Sequence, residues 1–367
     1  MRIALLSAVD FRNYQRASIA LGERLTVVSG SNGAGKTNLV EALYFGCTGR
    51  SPRTSTEREL IRHHAPLCRV EIEVLADDGA HRLEAALPRD GPKLLRVDGR
   101  PADGPVAPPT RPLVVVFMPE RLELVKGGPS ARRAHLDQVL AALWPARAGT
   151  RVLYARALAQ RNALIGRIRA GLVGAEALDP WDATLADHGA ELMSARREAV
   201  ALLAPRFTAR AEALGLSDAA SLEYRPRSTA QDESGLLAEL AARRDEDLRR
   251  GFTAHGPHRD EISLALGGRS ARAHASQGQQ RLAVLALLLG ERALLTEHCL
   301  APPLLLLDDV MSELDARRRE LLAETLQDEG QVVVTTTDPA QVPGAARARL
   351  VMVEDGVART ALSQAAA

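Results

Sequence analysis

A glycine-rich stretch near the start of the chain determines much of the fold around it. Its residues are Gly30, Ser31, Asn32, Gly33, Ala34, Gly35, Lys36 and Thr37. They match the pattern G-x-x-x-x-G-K-[ST] at every fixed position, between a run typical of a buried strand and a segment typical of a helix. This context is what the pattern requires of a phosphate-binding loop, in which backbone N–H groups and a helix N-terminus surround one anion. The stretch therefore predicts nucleotide binding.

Two side chains of this loop have expected roles. Lys36 would reach the β- and γ-phosphates of a nucleotide, and the Thr37 hydroxyl would ligate Mg²⁺. The loop Phe11-Arg12-Asn13-Tyr14 leads back toward the same region, so Arg12 and Asn13 could face the nucleotide. The alternative for Arg12 and Asn13 is that they are solvated loop residues.

A second motif, far along the chain, carries the carboxylates that such a site needs. The apolar residues 304–307 are followed by Asp308 and Asp309. A parallel strand that is buried on both faces has a continuous apolar run, and its carboxyl end lies at the ligand crevice of an α/β sheet. We expect Asp308 to hold the Mg²⁺ that Thr37 also contacts, and Asp309 to orient the attacking water. Asp309 and the phosphate-binding Lys36 are therefore the candidate catalytic residues. A turn or cap is the alternative for the two aspartates.

The remaining strand patterns predict an α/β fold with a mixed sheet and an antiparallel patch. Alternation of apolar and polar residues or continuous apolar runs mark the strands. The strands predicted in this way are residues 2–9, 25–29, 69–76, 81–87, 94–97, 113–117, 261–266 and 331–335. The segments between 69 and 97 alternate and are separated by turn residues, which is typical of antiparallel strands.

The composition changes near residue 126, where strand patterns become few. Up to about residue 250 the chain is rich in Ala, Leu, Arg and Glu and predicts helices, broken at Trp144-Pro145, residues 171–180 and Gly215. We therefore expect one nucleotide-binding lobe, residues 1–125 with 251–367, and a mainly helical lobe with a short arm, residues 126–250.

Arginines are concentrated in the first part of this helical region. Between residues 138 and 175 they are the only charged residues: Arg147, Arg151, Arg156, Arg161, Arg167 and Arg169. The cluster is either a nucleic-acid patch or a solvated helical arm. The arginine content itself is not evidence for either, because only Lys36, Lys93 and Lys126 are lysines among 47 basic residues, which is a bias of the whole chain.

Composition narrows the class of protein further. The net charge is +1, so the chain as a whole is not a polycation. Its 3 cysteines form no C-x-x-C motif and favour reduced thiols. We expect a cytoplasmic location and no membrane partner, because the N-terminus lacks a signal-peptide pattern and no apolar run is long enough to span a bilayer.

The ordered set of motifs resembles the heads of ATP-binding-cassette (ABC) ATPases of the SMC and Rad50 type, and within that group the bacterial RecF family of recombinational repair proteins. The motifs are residues 11–14, 30–42, 49–53, 119–120, 125–129, 256–260, 276–281, 308–309 and 312–315. The resemblance covers nearly the whole chain. SMC and Rad50 chains insert hundreds of heptad-patterned residues between their halves, and no sustained heptad run occurs here.

The resemblance implies a composite active site in an ATP-dependent homodimer. Ser276 and Gly278 would contact the γ-phosphate of ATP bound to the partner protomer. The dimer would be a clamp on double-stranded, gapped or junction DNA, and it would act with RecO and RecR to load the RecA recombinase in DNA repair, replication maintenance and the SOS response. Two departures from the wider ABC pattern imply a weak, DNA-stimulated ATPase: Asp309 replaces the usual Glu, and residues 331–340 contain no His.

Two other classes remain as alternatives. An ATPase subunit of a transporter would share the phosphate loop, but it would also need a Q-loop, and no Gln directly follows residues 113–117. A head of a larger cohesin-like or overcoming-lysogeny-defect-type complex is disfavoured by the missing heptads and by the absence of a carboxylate cluster beyond Asp308 and Asp309.

Overall fold

The computed structural model describes residues 1–102, 111–299, 301–326 and 330–360. Its strands are β1 (Arg2–Phe11), β2 (Tyr14–Ala20), β3 (Leu25–Ser29), β4 (Leu67–Ala76), β5 (Gly79–Pro88), β6 (Leu94–Val97), β7 (Arg100–Pro101), β8 (Val114–Phe117), β9 (Ala220–Arg225), β10 (Glu261–Leu266), β11 (Arg269–Ser270), β12 (Leu304–Leu307), β13 (Val332–Thr336), β14 (Arg349–Glu354) and β15 (Val357–Thr360). Its helices are α1 (Lys36–Thr48), α2 (Glu123–Lys126), α3 (Pro129–Leu143), α4 (Thr150–Arg169), α5 (Asp179–Ala213), α6 (Glu233–Ala242), α7 (Arg244–Arg250), α8 (Ala271–His274), α9 (Gln277–His298) and α10 (Ala316–Leu326). Within these described helices, no segment has the length and hydropathy of a membrane span.

The described residues fall into two compact units. The first unit comprises those within Met1–Leu122, Arg210–Ser217 and Val284–Ala367, and the second comprises Glu123–Ala209 and Asp218–Ala283. The sequence places a boundary at residue 251, but residues 251–283 belong to the second unit. The reason is strand pairing, because β10 is antiparallel to β9.

The first unit contains the sheet that positions the site. Its strand order is β15-β14-β3-β13-β12-β8 among the described strands, and the five strands from β14 to β8 are parallel. The four leucines of β12 are at most 3% exposed, as expected of a strand covered on both faces. Parallel pairing brings the ends of β3 and β12 to one edge of the sheet, where the phosphate loop and Asp308 follow them.

An antiparallel sheet, in the order β2-β1-β4-β5-β6-β7, completes the first unit and confirms the predicted antiparallel patch. On β4, Val70, Ile72 and Val74 are fully buried, as the alternating sequence predicts. Helix α1 packs directly on this strand: a Cβ added at Gly46 would lie only 2.5 Å from Ile72 Cγ1. The sheet therefore fixes the position of the helix that follows the phosphate loop.

The second unit is mainly helical. Helices α3, α4 and α5 end at residues 143, 169 and 213, close to the three breaks that the sequence predicts. The strand β9 is a feature that the sequence analysis missed. It is only 6 residues long, and its partner β10 lies far along the chain, so local pattern gives little signal.

A buried ion-pair network stabilises the second unit. The Arg161 side chain on α4 is fully buried and donates to Asp182 at 2.6 Å, and to Asp247 and Thr253 at 2.7 Å each. Both alternatives for the arginine cluster are therefore wrong for Arg161, which is neither solvated nor available to nucleic acid. Arg147 is ion-paired as well, with Glu198 at 2.8 Å.

Replacement of Arg161 tests this network. Arg161→Leu should lower the free energy of unfolding by about 3–5 kcal/mol, because it leaves Asp247 buried without its cation and Asp182 with Arg244 alone. The matched control, Arg156→Leu, removes an exposed arginine of the same helix and should change stability little. Urea denaturation measures both; equal midpoints for the two variants would show that the network contributes nothing.

Candidate nucleotide-binding site

The phosphate loop joins β3 to α1 and has the conformation that its glycines allow. Gly33 and Gly35 have φ angles of 81° and 119°, in a region that side chains rarely adopt. A Cβ at Gly35 would also lie 2.6 Å from Asn13 Nδ2. Because α1 begins at Lys36, its unpaired N-terminal N–H groups are available to an anion held by the loop.

The Lys36 ammonium lies over the loop. Its Nζ donates to the carbonyl oxygens of Gly30 at 2.8 Å and Ser31 at 2.9 Å, and the residue is only 7% exposed. An ammonium has three donors, so one remains for an anionic ligand. The loop carbonyls thus hold the cation in place before a phosphate arrives.

Three side chains from distant parts of the sequence meet at the carboxyl edge of the parallel sheet. Thr37 Oγ1 on α1 donates to Asp308 Oδ2 at 2.8 Å, and Thr335 Oγ1 on β13 donates to Asp308 Oδ1 at 2.7 Å. Thr335 also accepts a hydrogen bond from the Asp309 amide at 2.9 Å. The structure therefore brings together Thr37 and Asp308, the two residues that the sequence analysis assigned to one metal ion.

The Asp308 carboxylate is buried, and its chemistry fits a hard cation. Burial raises the pKa of Asp308 above its ordinary value, and the charge of Asp309 adds to this increase. The two threonine hydroxyls offset only part of the effect. A carboxylate and a hydroxyl oxygen are ligands that Mg²⁺ prefers, and a divalent cation would stabilise the ionised form. The residues present therefore fit a magnesium site.

Asp309 differs from Asp308 in its backbone and its surroundings. Its φ is 50°, in the left-handed region that Asp tolerates better than most residues. Its Oδ1 atom is buried and has no hydrogen-bond partner among the described residues. Such backbone conformations are concentrated at functional sites, and an unpartnered carboxylate oxygen can accept a proton or orient a water molecule.

These groups surround one cleft of about 270 Å³, formed by the first unit. Its lining residues are Asn32, Gly33, Gly35, Lys36, Thr37, Asn38, Arg53, Asp308 and Asp309. The predicted loop residues Gly30, Ser31 and Ala34 belong to the same loop but do not line the cleft. The cleft thus contains the phosphate loop, the candidate metal ligands and the candidate catalytic carboxylate.

Arg12 and Asn13 lie beside the loop and outside the cleft lining. Arg12 Nε and Nη2 donate to both carboxylate oxygens of the buried Glu41, at 2.8 and 2.9 Å. Asn13 Nδ2 donates to the Ala34 carbonyl at 3.2 Å, and its Oδ1 accepts from Asn38 at 2.8 Å. In this structure the two residues hold the loop and α1 in position.

Arg53 is a cleft residue that the sequence analysis did not single out. Its Nη1 donates to Asn38 Oδ1 at 3.1 Å and Glu41 Oε2 at 3.2 Å, and its Nε donates to Glu120 at 3.2 Å. Burial alone would lower the pKa of Arg53, but Glu41 and Glu120 raise it above its ordinary value. The basic segment 49–54 is visible in the sequence, yet only the fold places one of its arginines at the phosphate loop.

Ser276 and Gly278 belong to the second unit, at the start of α9. Ser276 Oγ accepts from the Gln279 amide at 3.3 Å, and Gln279 Oε1 accepts from the Ser276 amide at 2.8 Å, which is a capping box. Both Ser276 and Gly278 are exposed. A Cβ added at Gly278 would meet no atom within 4 Å, so packing within the described chain does not require glycine there.

Comparison with known proteins gives matches over most of the chain. Residues 6–82 match the family model described as AAA domain. The DNA replication and repair protein RecF of Myxococcus xanthus (strain DK1622) is 43% identical over 364 residues, which cover 94% of this chain and 93% of that protein.

The fold is also similar to solved structures. A structure of the recombination mediator protein RecF with ATP in the RecFOR pathway has a TM-score of 0.88 and 27% identity, covering 98% of this chain and 97% of its own. An SMC head bound to the C-winged helix domain of ScpA has a TM-score of 0.59 and 17% identity, covering 100% and 98%. The second likeness concerns the fold alone, and together they confirm the α/β fold of an SMC- and RecF-like ABC ATPase head.

The raised pKa of Asp308 predicts a pH-dependent stability. The folded protein binds this proton more tightly than the unfolded chain, so stability of the ligand-free protein falls as the pH rises above 3.8 toward the folded-state pKa. Asp308→Asn should therefore be more stable than the wild type at neutral pH, and the difference should shrink in acid. The hydroxyl of Thr37 can turn to accept from the new amide.

Urea denaturation between pH 4 and pH 8, without nucleotide or Mg²⁺, measures this difference. Asp90→Asn is the matched control, because Asp90 is an exposed carboxylate elsewhere in the first unit. A Asp308→Asn variant that is less stable than the wild type at every pH would contradict the electrostatic argument.

Proposed function

The chain belongs to the RecF family of DNA replication and repair proteins, and we propose that it is an ATP-controlled recombination mediator of the RecFOR pathway. One observation carries the ATP-dependent part of the proposal. It is the 2.8 Å hydrogen bond between Thr37 and Asp308, which joins the phosphate loop to the carboxylate at the end of β12. Phosphate-loop ATPases use this pair of residues to bind a nucleotide triphosphate with Mg²⁺.

We assign the binding of ATP to the loop residues 30–37 and that of Mg²⁺ to Thr37 and Asp308. When bound, Mg²⁺ would neutralise phosphate charge and the charge of the buried Asp308. Lys36 would donate its remaining N–H to the β- and γ-phosphates, while the loop carbonyls keep its Nζ in place. Arg53 lines the same cleft and would add a second cation near the phosphates.

Hydrolysis would depend on Asp309. Its unpartnered Oδ1 would orient the attacking water and accept its proton. Aspartate is shorter than the glutamate usual at this position of ABC ATPases, and residues 331–340 contain no histidine that could assist. We therefore propose slow turnover, in which ATP acts as a switch between two states of the protein.

The composite site of the proposal requires two protomers. Ser276 and Gly278 would contact the γ-phosphate of ATP bound to the partner, since both are exposed at the N-terminus of the long helix α9. The exposed backbone N–H groups of a helix N-terminus suit a phosphate. The open space around Gly278 leaves room for a partner to approach.

The closed dimer would bind double-stranded, gapped or junction DNA and help RecO and RecR load RecA. The support for this part is the family and the RecFOR pathway of the similar RecF structure. With a net charge of +1, DNA binding would depend on a local basic surface rather than on overall charge.

Solution mass with and without ATP and Mg²⁺ tests the switch. The wild type should double its mass with ATP. Lys36→Met should stay monomeric and bind ATP about 10–100-fold more weakly, because it loses a charge-assisted hydrogen bond to phosphate. Gly278→Arg should bind ATP normally but stay monomeric, because the added side chain has free space in its own protomer and would block only a partner.

Gly278→Ala is the matched control for the interface variant and should still form the dimer, because the added methyl group is small. If Gly278→Arg doubles its mass as the wild type does, the composite site is wrong. If the wild type binds ATP and remains monomeric with DNA present, the clamp mechanism fails.

Replacement of Asp309 separates binding from hydrolysis. Asp309→Asn should keep ATP affinity and the ATP-dependent dimer, yet lower the turnover rate by about 10²–10⁴-fold, because an amide cannot accept the proton of the water. Steady-state phosphate release and nucleotide binding are measured on the same preparation. Unchanged turnover would mean that another group activates the water.

A further inference from the structure

The outer face of α4 in the second unit carries arginines that have no ion-pair partner. Arg151, Arg156, Arg167 and Arg169 are exposed, and none of them forms a salt bridge within the part of the chain that the structure describes. The other members of the sequence cluster, Arg147 and Arg161, are neutralised by carboxylates. The uncompensated charge of residues 138–175 therefore lies along the exposed side of one helix.

The four arginines form two rows along α4. At 3.6 residues per turn, Arg169 follows Arg151 by about five whole turns, and Arg167 follows Arg156 by about three. The two rows are separated by about 140–160° around the helix axis. Between the rows lies a strip of small, uncharged side chains, which we call the smooth strip. Its exposed residues are Val152, Ala155, Ala159, Ala163 and Gly166.

We propose that this face, the arginine-flanked face of α4, binds the phosphate backbones of duplex DNA on the two sides of a major groove. An α-helix with side chains is about 10–12 Å wide, and the major groove of B-DNA is about 12 Å wide. The two rows would then meet opposite strands. The inference rests on the proposed function, in which the protein binds duplex DNA, and it assigns a surface to that binding.

The smooth strip determines the kind of recognition. Alanine, glycine and valine offer no hydrogen-bond donors or acceptors to base edges. These small side chains allow the helix backbone to approach the groove without making sequence-specific contacts to the bases. Binding through this face is therefore independent of sequence, which is what a repair protein that acts at many sites requires.

Charge selects DNA over a second copy of the chain. A smooth strip can also pack against an identical helix, but two such faces would bring four unpaired arginines of each copy together without a carboxylate between them. Like charges at this density repel, whereas each phosphate contact releases condensed counterions.

The test is the salt dependence of binding to a DNA duplex by fluorescence anisotropy. The variant Arg151→Gln, Arg156→Gln, Arg167→Gln, Arg169→Gln removes all four cations and keeps residues that favour a helix. Each lost phosphate contact lowers the slope of log K against log salt by about 0.9, so the slope should fall by about 3–4. A fall smaller than about 1 overturns the proposal.

A charge-matched control carries four Arg→Gln changes at exposed arginines of the first unit that form no salt bridge with any described residue. They are Arg16, Arg82, Arg317 and Arg347. It should keep a slope that is steeper than that of the α4 variant. Both variants should still double their mass with ATP, which shows that the fold and the composite site are intact. An equal loss in the control would mean that total charge, and not this face, determines binding.

Two other ligands complete the test. The major groove of an RNA duplex is too deep and narrow for side chains to enter. The protein should therefore bind an RNA duplex more weakly than a DNA duplex, and the α4 changes should reduce the affinity for RNA less. Vesicles with anionic lipids should bind weakly and equally to all variants. A stronger effect of the α4 changes on RNA or vesicles than on DNA would overturn the assignment. If the wild type itself does not bind duplex DNA, the proposed function fails, and this inference fails with it.

Discussion

The buried carboxylate of Asp308 is the constraint on which the rest of the site depends. A carboxylate at the end of a fully buried strand is costly unless hydrogen bonds or a cation compensate its charge. Thr37 and Thr335 supply hydroxyl donors at 2.8 and 2.7 Å, yet the pKa of Asp308 stays above its ordinary value. In the ligand-free site, the two hydroxyl groups therefore compensate only part of the negative charge of the Asp308 carboxylate. A Mg²⁺ ion that binds together with a nucleotide would neutralise the remaining charge.

The phosphate loop is held in place by neighbouring residues, most of which lie outside the cleft lining. Tyr14 Oη donates to the Gly35 carbonyl at 2.9 Å, and Asn13 donates to the neighbouring carbonyl of Ala34. On α1, the buried Glu41 accepts from Arg12 and Arg53. These contacts fix the loop and the first turn of α1 before any ligand binds. Preorganised donors of this kind lose little entropy when a phosphate arrives.

Arginine has two opposite uses in the second unit. Arg161 is fully buried, and its ion pairs with Asp182 and Asp247 connect α4 to α5 and α7. The four arginines on the outer face of the same helix have no such partners among the residues that the structure describes. The buried ion pairs order α4 before DNA binds. The helix therefore loses less conformational entropy when its outer face binds a stiff polyanion.

The sequence by itself determined the elements that local chemistry controls. The phosphate loop, the buried strand that ends at Asp308, the antiparallel patch and the breaks between the helices all follow from side-chain pattern and turn residues within short windows. The family resemblance came from the same motifs. These features could be predicted because backbone conformation and apolar periodicity depend on neighbours in the chain.

Only the tertiary structure decided which distant groups meet and which arginines are exposed. Thr335 and Arg53 reach the site through parallel strand pairing and through the segment after α1. Both lie in segments that the sequence marks, but local pattern does not place either side chain at the phosphate loop. Strand β9 and the inclusion of residues 251–283 in the second unit depend on one non-local pairing. Arg161 and Arg156 have the same side chain and lie on the same helix, yet Arg161 is buried and Arg156 is exposed. Their difference is determined by packing across the helix, which one-dimensional sequence does not contain.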